Sequence, residues 1–267
     1  MAFQGERRAY SEDAIRLKFG EVDVLPCPTI SDVFKAVESG RAEYGVVPIE
    51  NSLEGSVNET YDQLLETELR ISGEIKLRIR HCLIGNPGAE LSDIRFVYSH
   101  PQALAQCRES IERLGLKALA YYDTAGSVKM IKERGLMDSA AIASKRAAEI
   151  YGMKVLVEGI EDSETNYTRF LILHREDAPR SGRDKTSLIF SVRHVPGALY
   201  EALEVFAKRG INLTKIESRP VKKTPWEYNF YVDVEGHRED EEIREAIGEL
   251  ALKALFVKVL GSYERGD

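Results

Sequence analysis

Apolar runs of strand length alternate with amphipathic helical segments along the first two thirds of the chain. The run VDVLPC is followed by the helical segment SDVFKAVESG and then by the run AEYGVVPIE. Further on, RFVYSH precedes the segment PQALAQCRESIERLG. In that segment four apolar residues recur at helical spacing: Leu104, Cys107, Ile111 and Leu114. The alternation of strand, short turn and helix predicts an α/β layer fold, with a single helix after RFVYSH.

The pattern changes near residue 180. The segment EDAPRSGRDK is rich in charge, proline and glycine and has no periodicity, which is typical of a linker. Beyond it, two helical segments stand among four strand-like runs, in the order strand, helix, strand, strand, helix, strand. Pro220 is expected to end the second of these strands, because proline cannot continue a hydrogen-bonded ladder. The order predicts a ferredoxin-like α+β unit of about 80 residues.

Composition narrows the class of protein. The chain has 267 residues, of which 43% are hydrophobic, so it can bury a sizeable core. Its net charge of −7 is spread along a mixed-charge sequence, which argues against nucleic acid as the main partner. The start of the chain does not resemble a signal peptide, and no apolar run approaches the roughly 20 residues that span a bilayer. We therefore expect a cytoplasmic protein without a membrane partner.

The cysteine and histidine patterns argue against a metal centre. The three cysteines, Cys27, Cys82 and Cys107, are far apart and lack CxxC spacing, so they are predicted to be buried reduced thiols. The five histidines form neither an HExxH nor an HxxxH pattern. The sequence thus predicts no metal ion.

Polar residues cluster just after two predicted strands, and a third cluster stands immediately before an apolar run that is predicted to be a buried strand. In an open α/β sheet, ligands bind beyond the carboxyl ends of strands, where helix N-termini direct backbone N–H groups at an anion. The three clusters are PIENSLEGSVNET, YSHPQALAQ and TNYTRF. These are the candidate site segments.

Each cluster also has a purely structural interpretation. Gly55 can turn the chain before a helix that Ser56 or Asn58 caps, although the same loop can present hydrogen-bonding groups to a polar substrate. Ser99 can simply cap the helix that begins near Pro101. None of the three clusters is a specific catalytic motif by itself, and GxGxxG, Walker and GxSxG patterns are absent.

For the remaining candidates, too, the residues alone do not decide between a structural and a functional role. Gln106 can be an ordinary exposed helix residue. Thr168 and Arg169 can point outward from a strand, or they can lie at a strand end that faces a cleft. In the C-terminal unit, Gly197 opens a helix whose N-terminus favours a carboxylate, but proline and glycine there can equally serve packing.

Taken together, the motifs resemble the prephenate dehydratase family with an appended ACT regulatory domain. The resemblance covers nearly the whole chain and rests on motifs in the family's order. They are FQGERRAYSEDA, VVPIENSLEGSVNETYD, YSHPQALAQC, NYTRF, PGAL and ESRP. Two positions depart from the family pattern: Arg8 replaces the second glycine of the first motif, and Tyr200 follows PGAL where many members carry valine.

The resemblance implies an architecture. The catalytic region, residues 1–178, is expected to have two α/β lobes like a type II periplasmic binding protein, with the second lobe at roughly 77–157. A linker at 179–185 and an ACT domain at 186–267 should follow. The resemblance also implies a homodimer or a homotetramer.

The resemblance also implies a reaction that uses no cofactor. Prephenate loses its ring hydroxyl as water and its ring carboxylate as carbon dioxide, and phenylpyruvate is formed. Thr168 would assist the departing hydroxyl, and the other implied catalytic residues are Asn51, Ser99 and Gln106. The implied substrate-binding residues are Ser52, Arg169 and Phe170.

For the ACT domain, the resemblance implies feedback regulation by L-phenylalanine. The implied effector-binding residues are Gly197, Ala198, Leu199, Asn212, Glu217, Ser218 and Arg219. Two alternatives remain at this point. One is an arogenate dehydratase, whose substrate carries an amino group in place of the keto group. The other is a non-enzymatic amino-acid sensor.

Overall fold

A computed structural model describes residues 1–7, 9–221 and 226–266. Arg8 lies outside the described residues. The chain divides into two compact units, each built from three segments. The first unit comprises Met1–Val33, Val46–Asn58 and Lys76–Phe170, and the second comprises Phe34–Gly45, Glu59–Ile75 and Leu171–Asp267. Since both units combine distant segments, the predicted domain boundaries at 179–185 stay a prediction.

The first sheet has six strands in the order β2-β1-β3-β11-β5, with β4 paired to β3. Its strands are β1 (Ala2–Gln4), β2 (Leu25–Cys27), β3 (Gly45–Asn51), β4 (Gly55–Ser56), β5 (Arg70–Arg78) and β11 (Tyr167–His174). Three helices occur among these strands: α1 (Tyr10–Phe19), α2 (Ile30–Glu38) and α3 (Asn58–Glu66). The division between the two units falls within β3, β5 and β11.

The second sheet belongs entirely to the first unit and has the order β10-β6-β9-β7-β8. Its strands are β6 (Cys82–Gly85), β7 (Phe96–Ser99), β8 (Lys117–Ala120), β9 (Ser139–Ala143) and β10 (Lys154–Glu158). Four α-helices and one short 3-10 helix accompany it: α4 (Pro101–Gln106), α5 (Arg108–Arg113), α6 (Thr124–Glu133), α7 (Lys145–Tyr151) and Leu91–Asp93. The mixture of parallel and antiparallel pairs confirms the predicted α/β class.

The prediction of one helix after β7 was wrong. The helix breaks at Cys107, whose φ of −119° and ψ of 20° are not helical. Asp162 explains the break, because its carboxylate accepts the backbone N–H groups of Glu109 and Ser110 at the start of α5. The backbone N–H of Asp162 also donates to the carbonyl oxygen of Gln106 at 2.8 Å. The break therefore fixes Gln106 at the end of α4.

The prediction that Ser99 could cap helix α4 was also wrong. His100 occupies the N-cap of α4, where its Nδ1 accepts the backbone N–H of Gln102 at 3.3 Å, and Pro101 begins the helix as expected. The three cysteines are buried and form no disulfide, as predicted.

The C-terminal sheet lies in the second unit and confirms the ferredoxin-like order. Its strands are β12 (Asp184–Ser191), β13 (Leu213–Pro220), β14 (Tyr228–Glu235) and β15 (Phe256–Glu264), arranged β13-β14-β12-β15. All three pairings are antiparallel. Helices α8 (Ala198–Ala207) and α9 (Glu241–Lys253) share an apolar core with the sheet. Strand β13 ends at Pro220, as predicted.

The opposite face of the C-terminal sheet packs on α3 and β5 within the second unit. The Tyr231 hydroxyl donates to the carbonyl oxygen of Tyr61, and the two rings meet edge to face at 4.9 Å. A side chain at Gly261 would overlap the backbone of Ile71, so glycine permits β15 to approach β5 closely. Strand β12 begins at Asp184, inside the predicted linker 179–185. Lys185, the last residue of that linker, forms a buried ion pair with Glu74 of β5.

Two properties that bear on function can be stated for the described part of the chain. None of its helices combines the length and apolarity that a bilayer crossing requires. The same residues include no group of three or more His, Cys, Asp or Glu side chains placed to hold a metal ion.

Candidate active site

A cavity of about 660 Å³ lies in the first unit, and every residue that lines it belongs to that unit. Its volume is typical of a site for a small organic molecule. The N-termini of three helices reach it, through Tyr10 of α1, Gln102 of α4 and Thr124 of α6. Helix N-termini present unpaired N–H groups and a partial positive charge. The cavity is therefore suited to an anion.

Side-chain charges in the cavity are few. Among the described lining residues, Glu6 and Asp123 are acidic, and His81 and His100 are the groups that can become cationic. Asp123 accepts the backbone N–H of Gly126 at 2.9 Å and so serves as the N-cap of α6. The described lining contains no lysine or arginine. An anion would be bound mainly by neutral donors and helix termini.

Asn51 lies at the end of β3, and its orientation is fixed by the backbone of the loop that follows. Its Oδ1 accepts the N–H groups of Leu53 at 2.9 Å and of Glu54 at 3.0 Å. Backbone N–H groups can only donate, so the opposite atom of this amide must be the Nδ2 donor. Asn51 is buried, at 7% exposure, which holds this arrangement in place.

The Asn51 amide directs the hydroxyl of Thr168. Asn51 Nδ2 donates to Thr168 Oγ1 at 3.0 Å and to Asn166 Oδ1 at 2.8 Å, and the Tyr167 carbonyl oxygen lies 3.1 Å from the same nitrogen. Because Thr168 Oγ1 accepts from Asn51, its own proton is available to another acceptor. Thr168 lines the cavity, so that proton can be donated to a bound molecule.

The same polarity continues from Asn166 to Gln106. Asn166 is fully buried; its Oδ1 accepts from Asn51, so its Nδ2 donates, to Gln106 Oε1 at 2.9 Å. The other end of Gln106 points toward Glu54, with Nε2 3.4 Å from Glu54 Oε1. Gln106 Oε1 also lies 2.9 Å from Nε2 of His81. These five residues and Tyr10, which contacts His81, are called the amide network: Tyr10, His81, Gln106, Asn166, Asn51 and Thr168.

His81 and Tyr10 complete the amide network on the α1 side. His81 is buried, at 2% exposure, and its Nδ1 lies 2.8 Å from the Tyr10 hydroxyl. Burial lowers the pKa of His81, while its hydrogen bond to Gln106 and the charge of Glu161 act in the opposite direction. Burial raises the pKa of Tyr10 well above its ordinary value, so its hydroxyl keeps its proton.

The predicted catalytic residues divide into two groups. Asn51, Gln106 and Thr168 line the cavity and belong to the amide network. Ser99 is fully buried outside the cavity lining, and its hydroxyl donates to the Ile142 carbonyl oxygen at 2.7 Å. This bond joins the end of β7 to β9.

The predicted substrate-binding residues also differ in their positions. Phe170 lines the cavity and is buried. Ser52 is exposed outside the lining; its hydroxyl donates to the Thr165 carbonyl oxygen at 2.6 Å and accepts the Tyr167 N–H at 2.9 Å. Arg169 is outside the lining as well, and its guanidinium pairs with Glu50 at 3.2 Å. Ser52 and Arg169 thus hold the loop and β11 in place.

The predicted effector residues of the C-terminal region lie on different faces. Side chains alternate along β13: Glu217 and Arg219 are half-buried, whereas Ser218 is exposed. Arg219 pairs with Asp62 of α3 at 3.4 Å. Ser218 stands opposite Phe230, on the face of the sheet that carries α8 and α9.

The other predicted effector residues surround the start of α8 and of β13. Gly197 is the N-cap of α8 with φ of 83°, a conformation that favours glycine, and Ala198 and Leu199 follow it in the helix. Asn212 precedes β13 and accepts the Glu235 N–H through its carbonyl oxygen. Tyr200 is exposed.

Sequence reasoning missed Tyr10 and His81, and it assigned no role to Asn166. His81 stands directly before the apolar run CLIG of β6, and Tyr10 opens α1. An argument from element ends could have marked both as candidates. Their pairing across 71 positions of sequence carries no signal in one chain alone.

The fold and the cavity define an α/β protein that has a cavity of substrate size and a C-terminal ferredoxin-like unit. Residues 1–178 match the family model for prephenate dehydratase, and residues 186–252 match the model for the ACT domain. The chain therefore belongs to the prephenate dehydratase family and carries an ACT domain.

Three known proteins illustrate the similarity. The chloroplastic arogenate dehydratase/prephenate dehydratase 2 of Arabidopsis thaliana is 47% identical over 98% of this chain and 72% of the relative. A solved structure described as GqqA, a novel type of quorum quenching acylase, is 40% identical, with a TM-score of 0.92 over 99% of this chain and 97% of that chain. The prephenate dehydratase of Arthrobacter aurescens in complex with L-Phe is 35% identical, with a TM-score of 0.91 over 99% and 89%.

Proposed function

We propose that this protein catalyses the decarboxylating dehydration of prephenate to phenylpyruvate. The bond from the ring to its carboxylate breaks, and carbon dioxide leaves. The electron pair of that bond enters the ring, and the bond to the ring hydroxyl breaks. The departing hydroxide takes up one proton and becomes water. Formation of the aromatic ring drives the reaction, so the enzyme has to orient the dianion and assist a poor leaving group.

The polarity of the Thr168 hydroxyl is the observation that carries this proposal. Asn51 donates to Thr168 Oγ1, so the Thr168 proton is directed to another acceptor in the cavity. A departing hydroxide is such an acceptor, and its hydrogen bond strengthens as negative charge develops. Donors of this kind contribute about 3 to 4 kcal/mol to the stabilisation of a transition state.

The surroundings of Thr168 suit a substrate with two carboxylates. Three helix N-termini and neutral amides line the cavity. In this proposal Asn51 orients Thr168, and Gln106 and Phe170 contact the substrate. Ser99, Ser52 and Arg169 hold the surrounding backbone through the hydrogen bonds and ion pair described above.

Arogenate is the alternative substrate, and the similarity to the Arabidopsis enzyme supports testing it. Arogenate carries an ammonium group where prephenate carries a keto group, so the two substrates differ in net charge by one. The described cavity lining offers both acidic groups and helix N-termini. Paired assays of both substrates decide which one is preferred.

We also propose that L-phenylalanine regulates the enzyme through the ACT domain. The ACT match and the L-Phe complex of the Arthrobacter relative support this proposal. Gly197, Ala198, Leu199 and Ser218 are the proposed effector contacts on the helical side of the sheet. Asn212 and Glu217 remain effector residues by prediction. Arg219 was predicted as an effector residue too, but its ion pair with Asp62 favours a structural role. The homodimer or homotetramer and the cytoplasmic location also remain predictions.

Ultraviolet detection of phenylpyruvate, with chromatographic detection of phenylalanine where arogenate is the substrate, tests the function. Purified protein is mixed with prephenate, with arogenate, or with prephenate and L-phenylalanine, each beside a sample without enzyme, because prephenate decays unaided in acid. Turnover of prephenate that L-phenylalanine suppresses is the expected result. An N-acyl amide is included as a further substrate because one structural relative is described as an acylase. Hydrolysis of that amide without formation of phenylpyruvate or phenylalanine would overturn the proposal.

A further inference from the structure

The Tyr10 hydroxyl faces two acceptors but has one proton. Its oxygen lies 2.8 Å from the carbonyl oxygen of Arg80 and 2.8 Å from Nδ1 of His81. A phenol donates one hydrogen bond and can accept others. The arrangement of protons around Tyr10 therefore depends on whether Nδ1 of His81 carries a proton.

Nε2, the other ring nitrogen of His81, must carry a proton in both states. Gln106 Oε1 accepts from Asn166, whose own orientation is fixed through Asn51 by two backbone N–H groups. An amide oxygen cannot donate, so Nε2 of His81 must be the donor of the 2.9 Å bond to Gln106. The neutral imidazole consequently has its lone pair on Nδ1 and accepts from Tyr10.

Protonation of Nδ1 leaves every heavy atom in place. The Nδ1–H group would donate to the Tyr10 oxygen, and the Tyr10 proton would turn to the Arg80 carbonyl oxygen. The bond from Nε2 to Gln106 is unchanged. Both protonation states of His81 are thus hydrogen-bonded by the same side chains, without reversal of the amide network.

Resting on the proposed function, we propose that His81 is a positioning residue that takes up a second ring proton when the dianionic substrate occupies the cavity. The proton comes from solvent, and one proton is bound for each substrate molecule bound. His81 lines the cavity and is one of two groups in the described lining that can become cationic. A dianion in contact with that cavity favours the imidazolium. The resulting charge lies beside Gln106 in the cavity lining and strengthens substrate binding.

The titratable groups near the Tyr10–His81 pair have defined effects. Glu161 accepts the backbone N–H of His81 at 2.9 Å, and its charge favours the imidazolium. Burial raises the pKa of both nearby thiols, Cys82 and Cys107, which keeps them neutral. Asp13 acts on Tyr10, and its own pKa is raised to about 6. Asp13 therefore titrates near neutral pH and must be controlled for.

The KM for prephenate as a function of pH tests the proposal. Carboxylic acids with ordinary pKa values near 4 stay ionised above about pH 5.5, so the substrate itself does not titrate. KM is expected to rise with pH, by about tenfold for each unit by which bound substrate raises the pKa of His81. A KM that is independent of pH in the wild-type protein overturns the proposal.

Three variants separate this role from a merely structural one. His81→Gln keeps an N–H donor for Gln106 but cannot take up a proton, so its KM should lose the rise with pH. Tyr10→Phe removes the acceptor of the second proton and should reduce the rise. Asp13→Asn should retain it. A rise of equal size in wild type and His81→Gln would assign it to another group.

Calorimetry counts the proton directly. Prephenate is titrated into two proteins at about pH 7, the Thr168→Ala variant and the Thr168→Ala/His81→Gln double variant. The Thr168→Ala change slows turnover during the titration. Each titration is repeated in two buffers of different ionisation enthalpy. Net uptake that approaches one proton is expected with His81 and none with glutamine. Binding without any uptake in the His81 protein overturns the inference and leaves the proposed function standing. Failure of the wild-type protein to turn over prephenate is a separate result, and it overturns the function itself.

Discussion

The cavity of the first unit and the C-terminal sheet of the second unit use polar side chains in opposite ways. In the cavity, neutral amides are joined so that each donor and acceptor is determined by its neighbour. In the second unit, charged side chains connect the C-terminal sheet to α3 and β5. Lys185 forms a buried pair with Glu74, and the Lys258 ammonium donates to carbonyl oxygens at the end of α3, including that of Leu65.

The difference follows from what each region has to hold. A carboxylate beside Thr168 would repel a substrate that carries two carboxylates. Neutral amides of fixed polarity orient a hydroxyl without that cost. In the second unit the contact is permanent, and a cation at a helix C-terminus or beside a buried carboxylate stabilises it.

The largest expected effect concerns the buried ion pair. Lys185 and Glu74 have side-chain exposures of 6% and 0%, and their charged atoms lie 3.0 Å apart. Lys185→Met leaves a buried carboxylate without this cation and should lower the free energy of unfolding by about 3 to 5 kcal/mol. Chemical denaturation measures it.

A double variant supplies the control for that prediction. Lys185→Met combined with Glu74→Leu removes both charges and should recover at least half of the loss, because a well-packed apolar pair can replace a buried ion pair. A double variant less stable than Lys185→Met alone would show that the carboxylate is held mainly by other groups.

A second prediction concerns the direction of the hydrogen bond between Asn51 and Thr168 in the amide network. Asn51→Asp keeps an oxygen for the Leu53 and Glu54 N–H groups but replaces the donor to Thr168 with an acceptor. The Thr168 proton should then turn to the introduced carboxylate instead of the substrate. We expect kcat to fall by about 10²- to 10³-fold. Thermal stability should fall as well, because the introduced carboxylate oxygen also faces Asn166 Oδ1 and the Tyr167 carbonyl oxygen, which can only accept.

The matched control is Asn58→Asp at the exposed start of α3. A carboxylate is favourable in the first turn of a helix, so kcat should stay near the wild-type value. An Asn51→Asp enzyme that keeps most of its turnover would contradict the assigned polarity.

A third prediction concerns pH and stability. Burial raises the pKa of Asp13 from 3.8 to about 6 in the folded protein, although Arg146 and a hydrogen bond from Ser144 oppose the shift. The folded state thus holds a proton that the unfolded state releases between these values, and stability falls as pH rises through this range. Asp13→Asn removes this loss. It should be more stable than wild type at about pH 7 by up to about 3 kcal/mol.

The difference should shrink toward zero as pH approaches about 4, where Asp13 is protonated in the folded protein. Thermal unfolding of both proteins across this range provides the measurement. Asp23→Asn, at an exposed position, serves as the control and should behave like wild type. A constant difference between Asp13→Asn and wild type at all pH values would argue against the burial effect.

The smallest expected effects distinguish the two faces of β13. Ser218 is exposed on the helical side, so Ser218→Ala should weaken inhibition by L-phenylalanine about fivefold, the effect of one lost hydrogen bond. Arg219 pairs with Asp62 instead, and Arg219→Ala should cost under about 1 kcal/mol of stability with little change in inhibition. The opposite ranking of the two variants would place the effector on the α3 side of the sheet.

Much of the fold could be predicted from local patterns. The periodicity of the C-terminal region was sufficient to predict the sequence of its strands and helices, and Pro220 ended β13 as expected. The break at Cys107 could not be predicted, because Asp162 causes it by binding the N–H of Glu109 from 53 positions away in sequence. The apolar spacing across residues 104–114 is continuous.

The candidate site could be predicted in part. Polar residues near strand ends marked the segments that contain Asn51 and Thr168 as candidates, and the family resemblance then singled out these two residues. Both line the cavity. Ser99 satisfied the same rule but points into the core and bonds to Ile142. Sequence shows that a polar residue ends a strand, but the direction of the side chain depends on the sheet neighbours. Tyr10 and His81 depend on tertiary pairing in the same way.

The most direct test of the central claim is kcat at saturating prephenate for three enzymes: wild type, Thr168→Ser and Thr168→Val. Serine keeps the hydroxyl that Asn51 orients, and valine keeps the shape without the proton. The account predicts that Thr168→Ser stays within about tenfold of wild type. It predicts that Thr168→Val loses about 10²- to 10³-fold while its unfolding midpoint is unchanged. A Thr168→Val enzyme with kcat close to that of Thr168→Ser would contradict the proposal that the Thr168 proton assists the departing hydroxide.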